Sequence, residues 1–436
     1  MKFYNRKKEL ALFEKIRKRS VNTAQMTVMV GRRRMGKTRL LCKALDNNEY
    51  LYFFVAKKDE KLLCEEYVEI VKDRFKVPVF GKISRFSELF AFLVELSKTK
   101  SFTLAIDEFQ EFNSINPAVF SEMQNIWDTN KVQSKLNLVL TGSIYSLMKR
   151  IFENAKEPLF GRTDERIHLK PFDITTLKEI ISDNFPNYKP IDLLAFYTLT
   201  GGVAKYVELF VDKEIFEYEA MLQEMFRENS YWLDEGKNLL VEEFGKEYTT
   251  YFSILALISS SKTSRVEIES ILEINVGGYL NRLENEYGIL RKIRPVFAKQ
   301  GSRTVKYFIN DNFLNFWFRF IYKNRTAVEI GNFDYLLEIV RRDFNTFSGR
   351  FLEKYFVQKL ANNREFSQIG SYWEKGNKNE IDIVAINKIK QYAVIVEVKL
   401  NKDKINIEKL KQKSQKLILQ LKNYYIEYKG FSLDDM

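Results

Sequence analysis

Apolar positions fall in three rhythms along the chain. The first is a short, nearly unbroken run: Met26–Val30, Phe102–Ile106 and Leu136–Leu140 each end at glycine or at polar residues. Such runs are too short for helices and predict strands of a parallel sheet covered on both faces. The second rhythm is helical. It follows the first run at Leu40, Leu41 and Leu45, and returns as three short faces: Ile254, Leu255 and Ile258; Ile268, Ile271 and Leu272; Tyr279, Leu280 and Leu283. The third lies near the C-terminus, where the strand-like "NEIDIVAI" and "QYAVIVEVKL" flank "NKIK" and predict a hairpin behind the amphipathic helix "FSGRFLEKYFVQKL".

These rhythms predict an α/β multidomain chain: a core with a parallel sheet over residues 1–171, a helical lid over 172–244, a three-helix unit over 245–311, linker helices over 312–344, and a C-terminal α/β domain over 345–436. In the third segment, strand-like "GILRKIRPVF" and "TVKYFIN" flank a Lys299-Gln300-Gly301-Ser302 turn, and three helices plus a hairpin make a winged helix. Its third helix carries Asn281 and Arg282, and its wing carries Arg291, Lys292, Arg294, Lys299 and Arg303. That arrangement suits either phosphate contacts on DNA or docking on protein.

Composition narrows the chemistry. With 436 residues, 45% of them hydrophobic, the chain has enough apolar mass for several cores. A formal net charge of +12 suits a polyanion, and the expected partner is nucleic acid, DNA before RNA, with a protein partner or a homo-oligomer as the other possibility. Two cysteines and one histidine exclude a disulfide framework and most histidine chemistry, leaving carboxylates, lysine, arginine and metal. The segment Phe313–Tyr322 is far short of the ~20 residues a membrane-spanning helix needs and contains Arg319, so a cytoplasmic chain without membrane contact is expected.

The first apolar run leads into Gly31-Arg32-Arg33-Arg34-Met35-Gly36-Lys37-Thr38-Arg39. Strand, glycine loop and helix in this order form a P-loop: Gly31 and Gly36 let backbone N–H groups curl around phosphate oxygens, and the helix N-terminus adds its positive end. Lys37 would reach the β- and γ-phosphates of ATP, and Thr38 would ligate Mg²⁺. The second run ends in Asp107, placed to hold Mg²⁺ through water, and Glu108, placed to polarise the attacking water. The third ends near Thr141 and Ser143, either of which could sense the γ-phosphate or simply close a strand. Arg162, in "PLFGR", is read as an arginine finger or as half of a structural ion pair.

Taken in order, "FYNRKKEL", "GRRRMGKT", "LAIDEFQEF", "LTGS", "PLFGR" and "TGGVAKYVELF" resemble the archaeal-type P-loop ATPases, relatives of the AAA-like and STAND groups, over Met1 to about Leu240. The resemblance implies an ATPase in which Phe3, Arg6 and Glu9 lie near the nucleotide base. One departure stands out: Gly201-Gly202 is followed by Val203 where the family commonly has proline.

Glu397 and Lys399 stand one residue apart in the last apolar run, with Asp382 in the strand before it and Glu353 in the preceding helix. Glu235-Gly-Lys237 and Glu427-Tyr-Lys429 repeat the pattern without that setting. A hairpin would bring Asp382 and Glu397 side by side to bind Mg²⁺ or Mn²⁺, with Lys399 stabilising a reacting phosphate and Glu353 completing the site. The arrangement resembles the restriction-endonuclease-like fold over about Asn345 to Leu421, and members of the ATPase family often end in such a domain. The expected function is ATP-controlled binding and cleavage of nucleic acid. The competing reading is an ATP-driven switch whose last domain only binds DNA or protein.

Overall fold

Chain contacts divide the molecule into two units, Asn5–Lys170, and Met1–Tyr4 with Pro171–Met436. The computed structural model describes residues 1–46, 48–79, 81–244, 248–299, 301–302 and 304–436. Gln300 and Arg303 of the expected wing, and Gly245 at the expected start of the three-helix unit, lie outside the described residues.

The N-terminal unit is built on strands β1 (Gln25–Val30), β2 (Tyr50–Phe54), β3 (Phe102–Asp107), β4 (Leu136–Gly142) and β5 (Glu165–His168), in the order β2-β3-β4-β1-β5. Every neighbouring pair is parallel. All residues of β1, β3 and β4 are buried, which explains why their sequences are apolar runs without alternation. Helices Glu60–Phe75, Phe86–Thr99 and Ala118–Asn130 supply the apolar cover. The first begins where the Asp59 side chain accepts from the Lys61 N–H, satisfying an otherwise orphaned donor. Asp107 and Gly142 therefore stand at the carboxyl ends of adjacent central strands, where open α/β sheets place ligands.

In the second unit, helices Ile174–Asn184, Pro190–Thr200, Ala204–Asp212, Tyr218–Met225 and Tyr231–Phe244 lead to three more, Tyr248–Ser259, Arg265–Leu272 and Gly277–Asn285. An antiparallel pair follows, β6 (Leu290–Ile293) and β7 (Lys306–Ile309). The stretch expected to be linker helices is helical and contributes to the core: Phe313, Phe316, Trp317, Phe318, Phe320 and Ile321 are all buried. Trp317 donates its indole N–H to the Leu233 carbonyl at 2.9 Å, so its polar edge is satisfied within that core. Trp317→Ala is expected to cost about 3–5 kcal/mol, read as a lower denaturant midpoint for this unit. Among the described residues, no helix is long and apolar enough to cross a membrane.

A single helix, Phe333–Asn362, runs straight through the boundary expected at 344/345. Its buried positions, among them Leu336, Val340, Phe344, Phe347 and Phe351, form one continuous stripe. Next come β8 (Gln368–Glu374), β9 (Lys378–Asn387), β10 (Tyr392–Val398) and, after helix Ile407–Lys413, β11 (Tyr425–Phe431). The sheet order is β11-β10-β9-β8, with β10 and β11 parallel and the other pairs antiparallel.

Candidate functional sites on the two sheets

The loop after β1 carries the first candidate site. Gly36 has φ +82°, a left-handed turn that glycine adopts without strain, and helix Lys37–Leu45 starts directly after it. At Gly31 a side chain would meet the Leu169 carbonyl oxygen at 3.0 Å, so that position is held to glycine by close packing. The Lys37 amine turns back into the loop and donates to the Gly31 carbonyl at 2.7 Å and the Arg32 carbonyl at 3.2 Å. Thr38 donates its hydroxyl to Asp107 Oδ2 at 3.0 Å, which joins the helix start to the end of β3. Arg34 stands exposed at the loop tip.

Around that contact the carboxylates are held firmly. Tyr52, from β2, donates to the same Asp107 oxygen at 2.9 Å; burial, then the Asp107 charge, pushes its phenol well above the usual range. Glu108 has φ +55° and receives the Ser143 hydroxyl at 2.6 Å and the Gln110 amide at 2.6 Å. Thr141 is fully buried and its hydroxyl has no hydrogen-bond partner among the described residues. Of the two expected sensor positions, only Ser143 reaches the carboxylate.

The second candidate site is on the C-terminal sheet. The ladder between β9 and β10 ends at Val396↔Ile383, and one step farther Asp382 and Glu397 face each other. The Lys399 amine lies 3.4 Å from Asp382 Oδ2 and 3.5 Å from Glu397 Oε1. Asp382 also accepts the Val398 N–H at 2.7 Å, and Glu397 accepts the Asn406 N–H at 3.0 Å with the Lys413 amine at 3.4 Å. Burial raises the Asp382 carboxyl from its ordinary value. It works the same way on Glu397, but the Asn406 N–H, Lys399 and Lys413 outweigh it and hold that carboxyl low. Glu353, from the long helix, is raised by burial and then by the charge of Asp382, which ties it electrostatically to the same cluster. Among the described residues, no group of three or more His, Cys, Asp or Glu side chains is arranged to hold a metal ion, so any cation here relies on two carboxylates.

Residues 3–210 match the family described as an ATPase domain predominantly from Archaea, and residues 317–417 match one described as archaeal and bacterial proteins of unknown function. An uncharacterized protein of Methanocaldococcus jannaschii is 31% identical over 407 residues, covering 91% of this chain and 87% of that one. The chain belongs to the archaeal-type P-loop ATPase family. Among solved structures, the ATPase is similar to the Walker-type ATPase of Pyrococcus abyssi, 18% identical over 72% of this chain and 96% of that one with a TM-score of 0.54, which supports the fold. The ORC2 protein of Aeropyrum pernix in ADPNP and ADP complexes is 12% identical over 78% of this chain and 96% of that one, with a TM-score of 0.46.

Several sequence-level expectations for the ATPase shift position. Arg162 pairs with Asp128 at 3.0 Å and donates to the Phe160 carbonyl at 2.8 Å, which is the ion-pair reading and not a guanidinium poised in the site. Arg6, by contrast, donates to the Lys170 carbonyl at 2.7 Å, next to Leu169, which packs against Gly31 of the loop. In the hairpin, Arg291 turns inward and lines a cleft with Arg350 and Lys354 of the long helix. The segment behind β6 is covered as well: the Val296 N–H bonds the Ser371 carbonyl on β8 at 2.9 Å, and Val296 joins the core of the C-terminal sheet. Lys306 of β7 is paired with Glu380 at 2.8 Å. Among the described residues, the expected phosphate contacts by the wing are thereby reduced to Arg294 and Lys299, which are exposed, and half-buried Lys292. Tyr52 and Gln110 went unread in the sequence; the alternation in "YLYFF" next to the Asp107 strand was the available signal for Tyr52.

Proposed function

We propose that the ATPase binds and hydrolyses ATP at the Gly31–Thr38 loop and uses its nucleotide state to control a metal-dependent nuclease centre at Asp382, Glu397 and Lys399. The observation that carries this reading is the pairing of Asp382 and Glu397 across β9 and β10 with the Lys399 amine within 3.5 Å of Glu397. Two carboxylates with a lysine beside them suit phosphodiester chemistry, beyond the contacts they make to the Val398 and Asn406 N–H groups at the strand end.

At the first site, the Lys37 amine rests on loop carbonyls, ready to exchange them for the terminal phosphates of ATP. Arg32, Arg33, Arg34, Met35 and Arg39 complete the loop and its helix start around the phosphates. Thr38 and Asp107 already meet at one oxygen pair, a hard-oxygen donor set that fits Mg²⁺. When bound, Mg²⁺ neutralises charge on the phosphates. Glu108, fixed by Ser143 and Gln110, aligns the water that attacks the γ-phosphate. Tyr52→Phe removes one hydrogen bond from Asp107 and is expected to slow ATP turnover about threefold to tenfold with little change in nucleotide affinity, as measured by phosphate release and by equilibrium binding.

At the second site, Asp382 and Glu397 offer hard oxygens that fit Mg²⁺ or Mn²⁺ completed by substrate oxygens and water. A metal ion held there supplies electrophilic assistance to the scissile phosphate. Lys399 stabilises charge on the reacting phosphate, and Glu353 sets the field around Asp382.

A second reading, an ATP switch whose C-terminal sheet only binds, is favoured by Lys413, whose amine 3.4 Å from Glu397 balances that carboxylate without a metal. The test separating them is incubation of the full chain with Mg²⁺ or Mn²⁺ and linear, supercoiled and single-stranded DNA, and RNA, in ATP, ADP or no nucleotide. Cleavage in any substrate that EDTA abolishes supports the nuclease. Absence of cleavage throughout leaves the switch.

A further inference from the structure

The cleft that captures Arg291 holds more positive charge than the protein balances. It has a volume of about 250 Å³ and is walled by the β6–β7 hairpin, the long helix and β8. Of its cations, Lys306 is answered by Glu380 at 2.8 Å. Arg291, Arg350 and Lys354 form no ion pair among the described residues, and the buried Nε atoms of Arg291 and Arg350 have no hydrogen-bond partner there. Among the described residues, Lys354 donates only to neutral oxygens, the Asn310 carbonyl at 3.0 Å and Asn312 Oδ1 at 2.6 Å. Arg350 lies over the rings of Phe347 and Phe351, at 4.7 Å and 5.2 Å, which orients the guanidinium without balancing its charge.

Glu353 acts on both arginines and Asp311 on Lys354, yet three cations against these two acids leave the cleft net positive, and a bound phosphate would supply the missing charge. Burial pulls Arg350 down to about 10 and, with the Arg291 charge, Lys354 to about 7, so the two arginines carry the standing positive charge and a bound anion would restore that of Lys354. Glu353 lines the same cleft, and its carboxyl is raised too far to act as a full counter-charge.

We propose that this cleft is a phosphate-binding subsite, in which Arg291 from the hairpin and Arg350 and Lys354 from the long helix hold a phosphate group of a nucleic-acid strand. Two planar guanidiniums arriving from different elements match the paired oxygens of a phosphate better than the single carboxylate of a small acid. The cavity is smaller than the roughly 300 Å³ at which small-molecule sites begin, so it suits a phosphate and its immediate substituent and not a whole nucleotide. Glu353 links it to the carboxylate centre, since that side chain lines the cleft and feels Asp382 and Lys399. The choice of a strand as the source of the phosphate rests on the nuclease reading; the phosphate chemistry stands apart from it. The hairpin that would otherwise read DNA from outside becomes one jaw of the clamp.

The experiment uses the full chain carrying Lys37→Ala, to weaken phosphate binding at the P-loop, in EDTA so that nothing is cut. Thermal midpoints and equilibrium binding are measured with inorganic phosphate, a 5′-phosphorylated oligonucleotide and the same oligonucleotide with a 5′-hydroxyl. Phosphate should raise the midpoint, and the phosphorylated strand should bind about tenfold more tightly than the hydroxyl strand. Arg350→Gln and Arg291→Gln should each remove that preference while leaving the ligand-free midpoint equal to the parent's or higher, because an unbalanced buried charge is gone. Asp382→Ala should abolish cleavage in the metal-containing assay yet keep the phosphate preference, so the two readings fail separately. A preference for inorganic phosphate over the phosphorylated strand would overturn the strand as source. No phosphate-dependent shift, or an equal shift in both arginine variants, would overturn the subsite.

Discussion

Lys37→Ala is expected to abolish tight ATP binding, with a loss of about a hundredfold or more in affinity and phosphate release at background. The amine is buried inside the loop, held at 2.7 Å and 3.2 Å from two of its carbonyls, at the place the terminal phosphates would take. A charge-assisted contact to phosphate in a partly desolvated loop contributes several times what a neutral hydrogen bond does. Glu108→Gln is expected to behave oppositely. It keeps the shape and the contacts to Ser143 and Gln110 but removes the carboxylate, so ATP should bind normally while turnover falls about a hundredfold or more. Fluorescent-nucleotide titration and phosphate release on the same preparations separate the two. Wild-type hydrolysis by Lys37→Ala would contradict the P-loop assignment.

The second large effect concerns the C-terminal centre. Asp382→Ala and Glu397→Ala should each lose metal binding and cleavage together, since each removes half of the paired carboxylates. Lys399→Ala should lose cleavage by about a hundredfold or more while metal binding is kept or strengthened, because an ammonium within 3.5 Å of both acids competes with a cation for them. Glu235→Ala is the control: it shares the Glu-x-Lys pattern, but its carboxylate accepts the Tyr206 hydroxyl at 2.9 Å inside the helical region and should leave cleavage untouched. Isothermal titration with Mn²⁺ beside gel-based cleavage reads both quantities.

How much of this was legible from the sequence depends on how local the cause is. The strand, loop and helix around Gly31 and Gly36 could be read because burial on both faces turns β1, β3 and β4 into apolar runs and glycine takes the left-handed turn at Gly36 without strain. Facing of Asp382 and Glu397 was legible for a similar reason: a short turn fixes the register of two strands, and register fixes which side chains oppose. The direction of Arg291 was not. A four-residue strand with alternating sides says nothing about which side another element will cover, and here β8 and the long helix cover the side that carries Arg291. Arg162 was ambiguous in the sequence because its partner, Asp128, comes from a helix far along the chain. The boundary expected at 344/345 falls inside the long helix, whose buried stripe continues from Val340 through Phe344 to Phe347.

Coupling between the two sites is the central claim, and one comparison tests it most directly. Cleavage by the wild-type chain is measured in saturating ATP and Mg²⁺ beside Lys37→Ala, which cannot hold the nucleotide, and Glu108→Gln, which holds ATP without turning it over. The account predicts that Lys37→Ala and Glu108→Gln cleave at rates at least about tenfold apart, with wild type moving toward one or the other as ATP is replaced by ADP. Equal cleavage by all three proteins in every nucleotide state would contradict it.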